Sequence, residues 1–257
     1  MRLRGRGRKS LMLVGVLLFL VGLGAGFIDA IAGGGGLLTL PSLMLVPLDT
    51  PLALGTNKGQ GVFGTAMSLA QYARSTLLDR RRALWSFVPA LVGSALGVVT
   101  VCRVAQSVLR PLVMVLLLAA AVAMVVQKPP AKAQAPRERS MLLAVLVAFV
   151  LAFYDGFFGP GTGTFLILAY AWLWRDALDA ASANAKVVNF GSNLGAMLTF
   201  AARGLIVWKY ALPMAAGQLL GGYLGAHATI RGGRQVVRFA VIGVSVALVA
   251  RLGWRYL

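Results

Sequence analysis

The chain alternates between long apolar runs and short polar breaks, and the runs are continuous, not alternating residue by residue. Apolar segments fall at 11–32, 37–48, 52–73, 84–102, 110–127, 141–158, 164–174, 183–203, 209–228 and 236–253. Most approach the ~20 residues that a helix needs to cross a bilayer. Two of them, 37–48 and 164–174, are too short to span alone. At about 1.5 Å per residue, each reaches only half the hydrocarbon depth. Each follows a glycine-rich break, "GGGG" at 33–36 and "GPGTGT" at 159–164. Continuous runs argue against a membrane β-barrel, whose strands alternate. The pattern predicts an all-α polytopic membrane protein of about eight transmembrane helices, with glycine-broken helices and half-helices.

The pattern also repeats. "GFIDAIAGGG" (26–35) matches "AFYDGFFGPG" (152–161), which sets Asp29 opposite Asp155. "GTNKGQGVFGT" (55–65) matches "SANAKVVNFGS" (182–192), which sets Asn57 opposite Asn184 and leaves Lys58 one residue out of step with Lys186. "FVPALVGSALG" (87–97) matches "ALPMAAGQLLG" (211–221), with Pro89 opposite Pro213. The offsets are 126, 127 and 124. Two homologous four-span halves follow, 11–127 and 140–257, joined by a polar linker at 128–139 and preceded by a basic segment at 1–10. The N-terminal run resembles a signal peptide, but a cleaved leader would not be copied with its acid and glycines into mid-chain. Residues 1–36 are therefore expected to be retained.

Composition agrees with a membrane setting. Apolar residues make up 59% and mean hydropathy is +0.81, against roughly 45–50% apolar in soluble domains. The net charge of +18 flanks apolar runs, as the positive-inside pattern requires, so nucleic acid is not an expected partner. With eight spans and an inner N-terminus, inner segments hold 17 Lys and Arg and outer ones 6. That predicts a multi-pass protein of the bacterial inner membrane with both termini cytoplasmic. If 11–48 forms a span plus a re-entrant hairpin, the parity changes and the halves become inverted. Cys102 and His227 are each the sole residue of their type, so no disulfide framework, metal site or cofactor is expected.

Glycine breaks inside membrane helices free backbone groups that are tolerable only where protein or a watery cavity meets them. The half-helices after Gly33, Gly34, Gly35 and Gly36, and after Gly159, Gly161, Thr162 and Gly163, would aim their N-termini inward, where partial positive charge suits an anion. Gly22, Gly24, Gly93, Gly97, Gly221, Gly222 and Gly225 read instead as close-packing positions. Asp29, Asp155, Lys58 and Lys186 lie at membrane depth, at a cost of roughly 2.5–3.5 kcal/mol each. Their charges sum to zero, so one reading is two buried ion pairs. The preferred one has Lys58 and Lys186, with Thr56, Asn57, Gln60, Asn184 and Asn189, lining a polar cavity for a small oxyanion, and Asp29 and Asp155 carrying a coupling proton.

At these residues the sequence resembles the sulfite exporter TauE/SafE family, through "GFIDAIAGGGGLLTLPSL", "ALGTNKGQGVFGT", "FYDGFFGPGTGTFL", "ASANAKVVNFGSNL" and "GQLLGGYLGA". The resemblance covers nearly the whole chain and implies inner-membrane transport of small, often sulfur-containing anions such as sulfite or organosulfonates. The expected partners are that anion, membrane lipids and a coupling proton or other ion, with a homo-oligomer left open. A gradient-coupled importer is the alternative. An intramembrane aspartyl protease would need a glycine-x-glycine-aspartate motif, but Asp29 follows "GFI". No nucleotide-binding GxxxxGK[ST] occurs, so energy must come from gradients.

Overall fold

The computed structural model describes the backbone of residues 3–126 and 140–254, with the side chains of 12–120, 122, 140–232 and 235. The linker 128–139 lies outside the described residues, as do the side chains of segment 1–10 and of 236–253. Among the described residues every element is a helix: α1 (Leu3–Ala32), α2 (Gly36–Met44), α3 (Thr50–Tyr72), α4 (Arg80–Val101), α5 (Gln106–Val126), α6 (Met141–Phe157), α7 (Thr162–Leu173), α8 (Leu178–Ala202) and α9 (Trp208–Trp254). Met12–Ala32 and Arg80–Val101 are long and apolar enough to cross a membrane. α3 and α8 match them in length, with 23 and 25 residues, but bury amides, hydroxyls and a lysine each.

Local chemistry sets the ends. Asp79 caps α4 by accepting from Arg82 N at 3.0 Å, and Ser140 caps α6 by accepting from Leu142 N at 3.1 Å. Both satisfy a first-turn donor that has no intrahelical partner. Pro51 sits in the first turn of α3, where its missing N–H costs nothing. The separate spans expected at 209–228 and 236–253 are one continuous helix, α9. The intervening "RGGR" contains no proline, and a mid-helix glycine costs only about 1 kcal/mol.

Contacts between helices fix their directions. Gly22 of α1 meets Met214 of α9, and Gly26 meets Gln218, so α1 and α9 run parallel. Gly64 of α3 also meets Gln218, and Gly222 meets Ser68, which aligns α3 with them. Gly93 and Gly97 of α4 meet Phe149 and Phe153 of α6, while Gly191 and Gly195 of α8 meet Phe87 and Leu91 of α4. Thus α4, α6 and α8 share a second direction. It opposes the first, because Gly61 meets Asn193 whereas Tyr72 reaches Ser182.

Since α1 and α3 are parallel, the short α2 must carry the chain back between them. α7 does the same between α6 and α8. This is the arrangement expected of the alternative in which 11–48 forms a helix plus a re-entrant hairpin. The start of α1 and the α3–α4 turn at 73–79 lie at opposite ends of the bundle, and α9 runs away from the end where α1 begins. The basic stretches at the start of α1 and at 74–82 therefore lie at different ends of the bundle. The physical reason is the pair of half-helices, which return without crossing and change the parity of everything after them.

The closest helix pairs, α1 with α9 and α4 with α6, meet through glycine. A Cβ on Gly22, Gly93, Gly97, Gly221 or Gly225 would run into the facing backbone, and Gly222 is as tightly placed against Gly64 O. Gly24 has nothing within 4 Å and is not a packing position. Gly97→Ala should therefore lower the melting temperature in detergent, consistent with about 1–3 kcal/mol of overpacking. Gly24→Ala should leave it level or raise it through helix propensity. Equal effects of the two substitutions would refute the glycine interfaces.

Candidate functional site

The site begins where α1 and α6 stop. Gly33 has φ +77° and Gly159 φ +101°, left-handed backbone that side chains resist, so α1 ends at Ala32 and α6 at Phe157. The two breaks lie against each other. Thr164 Oγ1 donates to Ala32 O at 2.6 Å, Gly33 and Gly163 touch with no room for a Cβ on either, and Gly36 faces Pro160. α2 and α7 therefore begin side by side, where the breaks accept part of their first-turn N–H groups, Leu37 on Gly34 O, Leu38 and Thr39 on Gly35 O, and Thr162 on Gly159 O.

The four membrane-depth charges pair across the breaks. Lys58 Nζ on α3 lies 2.8 Å from Asp155 Oδ2 on α6. Lys186 Nζ on α8 lies 2.7 Å from Asp29 Oδ2 on α1. Each lysine thus neutralises the acid at the other break, which is the ion-pair alternative and not a set of unpaired cationic donors. Lys58 also donates to Asn193 Oδ1 at 3.4 Å, and Ser192 Oγ donates to Asp155 Oδ2 at 2.6 Å. Gly159 needs its bare Cα here, since a Cβ would lie 2.9 Å from the Lys58 ammonium.

A polar cavity lies between the breaks, with about 40 Å³ open to the centres of water molecules. At roughly 10–15 Å³ per water, that is room for about three waters or a small oxyanion. Gly33, Gly35 and Gly36 form one wall with Asp29, and Gly159 and Gly163 form another with Asp155. α3 supplies Asn57, Lys58 and Gln60, and α8 supplies Asn189. Asn57 Oδ1 accepts from Thr39 Oγ1 at 2.6 Å and from Gln60 Nε2 at 3.1 Å, which ties α2 to α3.

Other expected residues are held elsewhere. Gly34, Gly161 and Thr162 belong to the breaks but do not line the cavity, and Lys186 is fully buried behind Asp29. Thr56 Oγ1 accepts from Val207 N at 3.0 Å, and Asn184 Oδ1 accepts from Asp79 N at 2.9 Å. Both steady the turn before a following helix, and they correspond to one another. Thr56 and Asn184, Lys58 and Lys186, and Asp79 and Val207 are each 128 residues apart. Asn57 and Asn184 are consequently not equivalent, and the two lysines are in step. The glycine contacts of α4 with α6 and of α9 with α1 follow the same spacing, Gly93 meeting Phe149 as Gly221 meets Leu23, which leaves Pro89 and Pro213 one helical turn out of register. Sequence matching slipped because α7, with 12 residues, is longer than α2, with 9.

Asn184 Nδ2 also donates to Asp176 at 3.2 Å, and Arg82 reaches Asp176 at 2.9 Å while lying over Tyr170 and Trp174. In this turn burial raises the Asp176 carboxyl above its usual range, against the pull of Arg82. Thr39, Gly61, Thr65, Asn193 and Gln218 line the cavity without having been singled out from sequence. Asn193 lies one turn beyond Asn189, and Gly61 and Thr65 continue the Lys58 face at helical spacing. Gln218 is the lone amide of an apolar run.

A helical bundle whose broken helices enclose a charge-lined cavity is the architecture of a membrane transporter. The chain belongs to the sulfite exporter TauE/SafE family, whose model matches residues 18–252. It is 36% identical to a "Probable membrane transporter protein" of Haemophilus influenzae over 93% of this chain and 95% of the other. It is 35% identical to "Probable membrane transporter protein YfcA" of Escherichia coli K12 over 95% of this chain and 90% of the other. A third relative, "Probable membrane transporter protein YunE" of Bacillus subtilis, is 26% identical over 82% of this chain and 87% of its own. No solved structure matches.

Removing one member of a buried pair strands the other. Lys58→Met should destabilise the protein by about 3–5 kcal/mol. Lys58→Met combined with Asp155→Leu should cost much less than the two single substitutions together. Additive losses in detergent melting would contradict the pairing.

Proposed function

We propose that the chain is a secondary transporter of small oxyanions, sulfite or an organosulfonate first among them, and that the anion binds in the cavity between the two breaks. The observation that carries this reading is the convergence of both helix breaks and both crossed ion pairs on one small polar cavity. Half-helix N-termini and amide donors suit an oxyanion there. The family's description names sulfite export, which supports the substrate class.

The opposed directions of α3 and α8, with their matched lysines, support two inverted halves, 11–127 and 140–257, rocking about a fixed site. An inner membrane holding an inside-negative potential favours outward movement of an anion by about 2.3 kcal/mol per charge per 100 mV. Export is the cheaper direction, and import would need a co-transported cation. An aspartyl protease fits less well, because its acids must share a proton whereas Asp29 and Asp155 each sit on a lysine.

Proteoliposomes loaded with unlabelled sulfite, sulfate, phosphate, chloride or short organosulfonates should show saturable exchange with at least one labelled sulfur oxyanion. Exchange with none of the panel would overturn the reading. Topology is tested separately. A periplasm-active reporter placed ahead of Leu3 and one placed in the 73–79 turn should report opposite sides. Same-side results would restore the eight-span arrangement.

A further inference from the structure

Among the described residues no unpaired positive charge faces the cavity. We propose that the site takes singly charged oxyanions in preference to doubly charged ones, and that the free amides of Asn189 and Gln218 recognise them. The proposal rests on the transport reading above and narrows its substrate class.

Three charged side chains line the cavity, Asp29, Lys58 and Asp155. Lys58 is paired with Asp155, and Asp29 with Lys186 behind it, so the charges cancel and the wall is neutral. A cavity with room for about three waters cannot hold an anion together with its hydration shell. The wall must replace that shell. The Born cost of leaving water grows with the square of the charge, so a dianion costs about four times as much as a monoanion of equal size. A cationic wall could offset the difference, and a neutral one cannot.

What the wall does offer matches one charge. The N–H groups of Gly35, Gly36 and Gly163 line the cavity and are not among those that the breaks accept. They lie at the starts of two half-helices, each worth about half a positive charge, so the two together balance about one negative charge.

Two side chains complete the site. Asn189 is 3% exposed and Gln218 4%, both line the cavity, and neither amide group is hydrogen-bonded among the described residues. Buried amides are nearly always paired, so two free ones in a cavity wall mark the place of a ligand. Asn189 stands beside the second break, its Nδ2 2.8 Å from where a Cβ on Gly163 would be, and Gln218 reaches in from α9 between Gly26 and Gly64. A carboxamide gives N–H groups to an oxyanion and an acceptor oxygen to a hydroxyl. It suits a sulfonate, or hydrogensulfite with its one remaining proton, whereas its oxygen repels a second negative charge.

Sulfite isolates the effect of charge, because it passes from monoanion to dianion near neutral pH with the same sulfur and oxygens. The purified full chain in detergent should be titrated calorimetrically with methanesulfonate, sulfate and sulfite from mildly acidic to alkaline pH. Methanesulfonate, a monoanion throughout, should bind more tightly than sulfate by about tenfold or more. Sulfite should weaken by a similar factor as pH rises while methanesulfonate stays level, which separates titration of the anion from titration of the protein. Gln218→Met should weaken methanesulfonate by about tenfold and leave the melting temperature without anion unchanged. Sulfate bound as tightly as methanesulfonate, or sulfite bound equally across the pH range, would overturn the selectivity, and full affinity in Gln218→Met would overturn the role of its amide. Binding of none of the three anions would overturn the transport reading, and this one with it.

Discussion

Two lysines and two aspartates at membrane depth cannot stand alone, and their pairing governs how the helices assemble. Each charge costs roughly 2.5–3.5 kcal/mol at a helix centre. The cost is offset only by a partner, and here the partner always lies on a helix distant in sequence. Lys58 on α3 reaches Asp155 on α6, and Lys186 on α8 reaches Asp29 on α1. The acids sit just ahead of the glycine breaks and the lysines sit in the middle of long helices. Crossed pairing therefore brings both breaks to one place and leaves a polar space between them.

Small residues make that assembly geometrically possible. The α1–α9 and α4–α6 pairs also join helices distant in sequence, and glycine lets their backbones approach within van der Waals contact. In a bilayer, where apolar burial between helices gains little, such contact is the main source of cohesion. The ion pairs and the glycine interfaces thus act on the same seam. One sets which segments meet, and the other sets how closely.

The cavity's chemistry is asymmetric even though its framework is matched. Gln218 corresponds to Ala90, Asn189 to Gly61 and Asn193 to Thr65, each 128 residues apart. The lining hydroxyls, Thr39 and Thr65, lie on α2 and α3, whereas amides lie on both sides, Asn57 and Gln60 on α3 and Asn189, Asn193 and Gln218 on α8 and α9. In an alternating-access transporter, matched backbones allow two similar end states, and unmatched side chains orient a substrate within them. The same asymmetry separates the two acids, one with a serine donor and one without.

Much of this was readable from the residues. Periodicity and length gave the helices, since continuous apolar runs have few other uses, and the short segments after "GGGG" and "GPGTGT" announced half-helices because glycine frees backbone that must then be met. The acids and lysines stood out by their cost in hydrocarbon. Only tertiary structure decided which lysine meets which acid, because contacts between residues 97 or more positions apart leave no local trace. Nor could residue matching settle the register, since the half-helices differ in length, 9 residues in α2 against 12 in α7. Direction was likewise hidden. A half-helix that returns and one that continues have the same composition, and only the parallel packing of α1 with α3 and α9 tells them apart.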